Sequence, residues 1–157
     1  MENDGILISE LKKLLNGGSA HAGLKDAIDN LPFKLLGLKV QNLPYTIWQL
    51  IEHIRIAQWD MLEFSKAGKH TSPRWPDDYW PKELAPKDEE TWRKSLNQID
   101  SNRTEFIELM QLNDLLKPIE HGSGQNILRE ALQIADHNAY HIGEIIVIRR
   151  LLGAWKS

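Results

Sequence analysis

The sequence predicts an all-α protein, a single four-helix bundle, and three observations favour this fold class. Apolar residues recur every three or four positions along most of the chain, which is the period of one helix face. Runs that alternate apolar and polar residues, as half-buried strands do, are weak. The chain has 157 residues, of which 41% are hydrophobic and 26% charged, and this suits one globular domain over residues 1–157.

The first predicted helix is broken into two parts. The first part runs from about Asp4 to Leu15 and is stopped by Gly17 and Gly18, because glycine favours the end of a helix. Ser19 is a suitable N-cap for a second, short part that reaches Asn30.

The second predicted helix runs from Ile47 to about Ser65. A connection with several helix-breaking residues ends at Pro44, and Thr46 is a residue type typical of the N-cap position. Apolar residues three or four positions apart predict its buried face: Ile47, Leu50, Ile54, Ala57, Met61 and Phe64.

A loop rich in proline and tryptophan separates the second predicted helix from the third. Proline at this density breaks regular structure, so we expect an aromatic loop that packs over one end of the bundle. The residues concerned are Pro73, Trp75, Pro76, Tyr79, Trp80, Pro81 and Pro86. The third predicted helix is capped by Asp88 and continues to the step between Lys117 and Pro118.

The fourth predicted helix follows a hinge at residues 122–124, which contains two glycines. It runs from about Gln125 to Leu152 and is ended by Gly153. Four helices that each carry one apolar stripe bury those stripes most simply by packing together as a bundle.

The composition excludes several classes of function. A net charge of −3 with scattered basic residues argues against a nucleic-acid partner. No apolar run approaches the roughly 18 residues of a membrane span, and the first residues lack the pattern of a secretory signal, so we expect a cytoplasmic protein without a membrane partner. Because the chain has no cysteine, any metal ion must be held by nitrogen and oxygen.

Three histidines are candidate metal ligands. His137 and His141 are four positions apart in the fourth predicted helix, so both side chains leave the same face. His53 lies at the edge of the inward face of the second predicted helix and could supply a third imidazole nitrogen. The competing interpretation is that these are core histidines hydrogen-bonded to the backbone. If they are ligands, metal affinity should fall as the pH drops through the range where imidazoles protonate.

Two segments resemble the DinB-like (YfiT-like) family of metalloenzymes. Residues 43–60, LPYTIWQLIEHIRIAQWD, are similar to its second-helix signature, and residues 135–144, ADHNAYHIGE, to its fourth-helix signature. Further similarity lies in WPDDYWP at 75–81 and RRLLGAW at 149–155. The resemblance implies a four-helix bundle, often a homodimer, with His53, His137 and His141 as ligands of a divalent metal ion, usually zinc or nickel.

The function that the resemblance implies is a metal-dependent enzyme acting on a small-molecule substrate. Members of the wider superfamily include transferases and an isomerase that use low-molecular-weight thiols such as bacillithiol or mycothiol, so a thiol-dependent transferase is one expectation and a hydrolase another. The alternative is a non-catalytic metal-binding or stress-response interaction protein. A ferritin-like di-iron site is excluded, because none of the six histidines has a glutamate three positions before it.

Four further residues are candidates for supporting roles. Asp60 could hold a ligand histidine, accept a proton or become a fourth ligand, although a solvated carboxylate is the simpler interpretation. Glu144 could act as a base, or face outward at a helix seam. Tyr140 could offer its hydroxyl to the pocket or only pack, and the break in the first helix could bring His21 to the pocket. His70 and His121 are predicted to be exposed in loops.

Overall fold

The computed structural model describes residues 2–17, 19–66, 68 and 70–155, with the backbone alone for residues 2–4. The described residues form helices and no strand, so the all-α prediction is confirmed. Short 3-10 helices occur at Phe33–Leu35 and Asp77–Tyr79. The α-helices are α1 (Glu2–Asn16), α2 (Leu24–Ile28), α3 (Ile47–Ser65), α4 (Glu89–Leu112) and α5 (Ile127–Leu151).

Local sequence explains where the longer helices begin. The Thr46 hydroxyl accepts a hydrogen bond from the backbone of Gln49, whose side chain in turn accepts one from the Thr46 backbone, so α3 starts with a complete capping box. Asp88 and Asn126 cap α4 and α5 in the same position. The break after α1 lies at Gly17, which has a φ of +70°; Gly18 is outside the described residues.

The helices pack so that α3 contacts both α4 and α5, and α1 also contacts α4 and α5. The short helix α2 lies against α5. No helix in the described part of the chain is both long enough and apolar enough to cross a membrane.

The interior contains two apolar clusters, one toward each end of the helices. One cluster contains the buried apolar residues between positions 47 and 54 of α3 and between 142 and 148 of α5, and the other contains Leu62, Phe106 and the buried apolar residues between 127 and 134. Polar side chains lie between the two clusters on α3, α4 and α5. They are His53, Gln58, Asn102, His137, Asn138 and His141.

The connection from α3 to α4 is fastened to the beginning of α3. The Thr46 hydroxyl donates to the Leu84 carbonyl at 2.7 Å, and the Gln49 amide donates to the Pro81 carbonyl at 3.0 Å. Residues 79 and 80, which lie just before this anchor, are thereby held against the face of α3 that carries His53.

Candidate metal centre

His53 projects from α3 into the interior, where its side chain is 1% exposed. Its Nδ1 is 2.9 Å from the backbone carbonyl of Tyr79. A carbonyl oxygen only accepts hydrogen bonds, so the Nδ1 of His53 must carry the proton and donate it. The Nε2 atom of the neutral ring is then left with a free lone pair.

His137 and His141 project from α5 toward His53. Because they are one helical turn apart, their ring centroids are only 4.6 Å from each other. The Nε2 of His137 is 3.0 Å from the Nε2 of His53. One ring nitrogen from each of the three histidines lies within 4.8 Å of the other two, so the three residues form a group that could hold a metal ion.

The outer nitrogen of each α5 histidine has a different environment. The Nδ1 of His141 is 2.6 Å from a carboxylate oxygen of Glu144, to which it donates a hydrogen bond. This fixes the tautomer of His141 in the same way as the Tyr79 carbonyl fixes that of His53. The Nδ1 of His137 is buried and has no hydrogen-bond partner among the described residues.

Burial keeps two of the rings neutral at physiological pH. It lowers the pKa of His53 to about 4, with a further decrease from His141 and an opposing effect of the hydrogen bond to Tyr79. Burial likewise lowers the pKa of His137 to about 4, and His141 and His53 lower it further. Neutral imidazole is the form that binds a metal ion.

The donor set fits a divalent metal ion. Imidazole nitrogen is a ligand that zinc and nickel both accept, at about 2.0–2.1 Å for zinc. Two nitrogens sharing one zinc ion in tetrahedral geometry would lie roughly 3.4 Å apart, close to the 3.0 Å between the Nε2 atoms of His53 and His137. Three such ligands would leave a coordination position open on a tetrahedral ion, as in catalytic zinc sites.

Aromatic rings enclose one side of the centre. Trp80 stacks on the ring of His53 with 3.8 Å between centroids, and Tyr45 stacks on the other face of Trp80 at the same distance. Trp75 lies 6.3 Å from the His53 ring and is 67% exposed, so it marks the outer edge of the centre. The sequence predicts only that the aromatic loop packs over one end of the bundle, and it gives these rings no role at the centre.

Asp60 lies on α3 two turns beyond His53 and contacts the loop. One carboxylate oxygen accepts the hydroxyl of Tyr79 at 2.5 Å, and the other is 2.6 Å from the Nε2 of His70. Its hydrogen bonds therefore reach residues outside the three-histidine group. The prediction that His70 is exposed is wrong, because its side chain is only 12% exposed and pairs with Asp60. His121 is exposed as predicted.

The structure places the other three candidate residues at different distances from the centre. Glu144 contacts His141 directly. Tyr140 is 67% exposed, and its ring is 4.9 Å from that of His141. His21 is exposed beside the break after α1, with its Nδ1 3.0 Å from the carbonyl of Ala22, and it lines a different cavity from the one beside Glu144. His21 is not part of the three-histidine group, and its place in the pocket stays a prediction.

Comparison with known proteins shows which family the chain belongs to. The family model of the DinB superfamily matches residues 20–145. The chain belongs to the DinB superfamily. The DinB match includes His53, His137 and His141, together with Asp60 and Glu144. Neither the curated proteins nor the solved structures gave a significant match.

Proposed function

We propose that this DinB protein holds one divalent metal ion, zinc or nickel, through His53, His137 and His141. We further propose that it is a metal-dependent enzyme acting on a small molecule, either as a thiol-dependent transferase or as a hydrolase. The four long helices α1, α3, α4 and α5 are then the four-helix bundle that the family resemblance implies. A homodimer stays a prediction.

One observation carries the proposal: one ring nitrogen from each of three histidines lies within 4.8 Å of the other two. The Tyr79 carbonyl and the Glu144 carboxylate occupy the outer nitrogens of His53 and His141, which directs both Nε2 atoms inward. A buried lone pair is unfavourable unless a hydrogen-bond donor or a cation meets it, and His137 can donate its one ring N–H to only one of the other two rings. Because His53 and His137 resist protonation, a metal ion suits this position better than a proton.

The chain supplies positioning, proton transfer and exclusion of water. A divalent ion, when bound, supplies Lewis acidity that polarises a carbonyl group or activates a thiol or water. Glu144 orients His141, and because its side chain is 34% exposed it can also hold a proton at the carboxylate oxygen that His141 does not contact. Trp80 covers one face of His53 and keeps water from that side.

Elemental analysis and calorimetric titration with Zn²⁺ test the metal proposal. We expect one ion per chain in the wild type and at most traces in His137→Ala, because two imidazoles alone hold zinc weakly. His121→Ala is the matched control, since it removes an exposed histidine and should keep the full metal content. A wild type without divalent metal, or equal uptake by both variants, would show that the assigned ligands are wrong.

Spectroscopy of the Co²⁺-loaded protein tests the enzymatic part. A small thiol such as N-acetylcysteine should change the visible spectrum of bound Co²⁺ if thiols reach the open coordination position. Metal uptake without any response to thiols or to electrophilic substrates would instead favour the alternative of a non-catalytic metal-binding protein.

A further inference from the structure

Gln58 is a glutamine of α3 whose side chain is completely buried in the interior of the protein. A buried amide is unfavourable unless its polar atoms find hydrogen-bond partners, and both ends of this amide do. Its Nε2 donates to the backbone carbonyl of Ile99 on α4 at 2.6 Å. Its Oε1 accepts a hydrogen bond from the Nδ2 of Asn138 on α5 at 2.8 Å. One side chain of α3 therefore joins this helix to both α4 and α5.

The hydrogen bonds of Gln58 lie close to the candidate metal ligands. Gln58 is five positions after His53, which is about 7.5 Å along the axis of α3. Asn138 directly follows His137 on α5 and is three positions before His141. Among the described residues, the other side-chain hydrogen bond between α3 and α5 is the contact of His53 with His137 itself. Gln58 and Asn138 thus join the two ligand-bearing helices beside the three-histidine group.

Apolar packing leaves space at this junction of the helices. A cavity of about 50 Å³ lies beside Gln58 and Asn138, and its other walls include Ile54, Ile99 and Ile142. Side chains that fill an interior fix the distance between helices by contact, whereas the lining of a cavity lacks part of those contacts. The position of α5 relative to α3 therefore depends on the hydrogen bonds of Gln58 as well as on packing.

We propose that Gln58 is a positioning residue for the three-histidine centre. Its hydrogen bonds to Ile99 and Asn138 fix α5 at the place where His137 and His141 reach His53. A zinc ion that needs three nitrogens at about 2.0–2.1 Å tolerates only small displacements of the helices that carry them. This inference rests on the proposed metal function and adds to it a residue that acts on the ligands through Asn138.

Calorimetric titration of Gln58→Met with Zn²⁺ tests this inference. Methionine is a good helix former that adapts its shape to the space in a core, but it offers no N–H to Ile99 and only a weak acceptor to Asn138. Loss of groups that orient metal ligands weakens metal affinity by about 10- to 100-fold, and we expect about tenfold because Gln58 acts indirectly. The visible spectrum of bound Co²⁺ should also change, because it reports the coordination geometry.

Asn102→Leu is the matched control for loss of a buried amide. Asn102 is only 2% exposed, but its side chain accepts its hydrogen bond from Gln98 of the same helix and joins no second helix. Phe106→Leu controls for a general loss of stability, because it removes packing from the apolar cluster that contains Leu62. Both controls should keep the Zn²⁺ affinity and the Co²⁺ spectrum of the wild type, and Phe106→Leu should lower the unfolding temperature.

A double-mutant cycle tests whether Gln58 acts through Asn138. Asn138→Leu breaks the same hydrogen bond from a partly exposed position, so it also serves if Gln58→Met does not fold. It should weaken Zn²⁺ binding about as much as Gln58→Met, and the double variant should bind about as well as either single variant, because one link is lost only once. A loss of about 100-fold in the double variant would mean that the two residues act independently, which would overturn the inference.

The outcomes separate failure of this inference from failure of the metal proposal. Equal Zn²⁺ affinities of wild type and Gln58→Met, or equal losses in Gln58→Met and Phe106→Leu, would overturn the inference and leave the metal proposal intact. If the wild type takes up no metal, the metal proposal fails by itself, and the ¹⁵N chemical shifts of the His53 and His137 rings in the metal-free protein decide. Shifts that change in Gln58→Met but not in Asn102→Leu support positioning by Gln58, and any other result overturns it.

Discussion

At the scale of single residues, the orientation of His53 depends on a residue that is itself held at both ends. Tyr79 accepts a hydrogen bond from His53 through its carbonyl and donates one to Asp60 through its hydroxyl. His53 and Asp60 are seven positions apart, so they lie two turns apart on the same face of α3. Tyr79 therefore spans this face, and its carbonyl has little freedom to move away from His53.

Tyr79→Phe should weaken metal binding. The variant keeps the aromatic ring and loses only the hydrogen bond to Asp60, so the carbonyl that orients His53 becomes less well fixed. Loss of such outer partners typically weakens metal affinity about 10- to 100-fold, and we expect the lower end because Tyr79 acts through its backbone. Calorimetric titration with Zn²⁺ measures the effect.

The exposed Tyr140 provides a matched control for this substitution. Tyr140→Phe also removes one hydroxyl close to a candidate ligand, but this side chain is 67% exposed and should not affect metal affinity. Equal Zn²⁺ affinities of wild type, Tyr79→Phe and Tyr140→Phe would contradict this prediction. They would mean that the hydrogen bond between Tyr79 and Asp60 does not contribute to metal binding at His53.

The lowered pKa values of two histidines predict how the free energy of unfolding of the metal-free protein depends on pH. The pKa values of His53 and His137 are about 4 in the fold, against 6.5 for an ordinary histidine. Between these values the unfolded chain binds protons that the folded chain does not, so the free energy of unfolding should fall as the pH is lowered from 6.5 to 4. Each histidine contributes at most about 1.4 kcal/mol per pH unit.

Urea denaturation at several pH values measures this dependence. A double variant with His53→Gln and His137→Gln should show a flatter decrease than the wild type, because the other titrating groups are common to both. Identical slopes would contradict neutral burial of the two rings. For the same reason, protons should compete with a metal ion at these rings only near pH 4, below the ordinary imidazole range expected from the sequence alone.

Spacing within helices made the three histidines predictable, whereas their partners in the loop were not. A separation of four positions places His137 and His141 on one face whatever the rest of the chain does. The partners Tyr79 and His70 reach α3 only through a loop whose path is fixed by distant contacts, such as the Gln49 amide on the Pro81 carbonyl. No local period encodes such contacts, and burial of His70 was missed for this reason.

At the scale of helices, the sequence predicts a boundary well where a cap is present. Helix α3 begins after Thr46 and ends at Ser65, as predicted, because its first turn has a full capping box. The beginnings of α4 and α5 agree within two residues for the same reason, with Asp88 and Asn126 as caps. A side-chain cap involves residues only three positions apart, so it can be predicted from the sequence alone.

The end of α4 differs from the prediction. The sequence predicts that this helix continues to the step between Lys117 and Pro118, but α4 ends at Leu112. Asn113 donates from its side chain to the Leu109 carbonyl, and Asp114 accepts the backbone N–H of Leu116. Such side-chain bonds compete with the helical backbone pattern. Leu115 is buried in the turn that follows, so its apolar character indicated burial and not helix.

At the scale of the whole molecule, Arg149 joins segments that are far apart in the sequence. Its guanidinium donates to the carbonyls of Ala27 and Asp29 at the end of α2, and to the carbonyl of Ala154 beyond α5. Arg149 is only 4% exposed, and burial lowers its pKa from the ordinary value. A single buried side chain thus satisfies backbone carbonyls at the end of α2 and in the segment after α5.

Arg149→Met should destabilise the protein by about 2–4 kcal/mol, because the carbonyls of Ala27, Asp29 and Ala154 lose this donor while the new side chain fills a similar volume. The adjacent Arg150→Met is the matched control. Arg150 is exposed, so its substitution should change the free energy of unfolding by less than about 0.5 kcal/mol. Urea denaturation of both variants measures the difference. Equal stabilities would mean that water donates to the carbonyls of α2 and Ala154 in place of Arg149. The end of α2 would then be held by its apolar contacts with α5 alone.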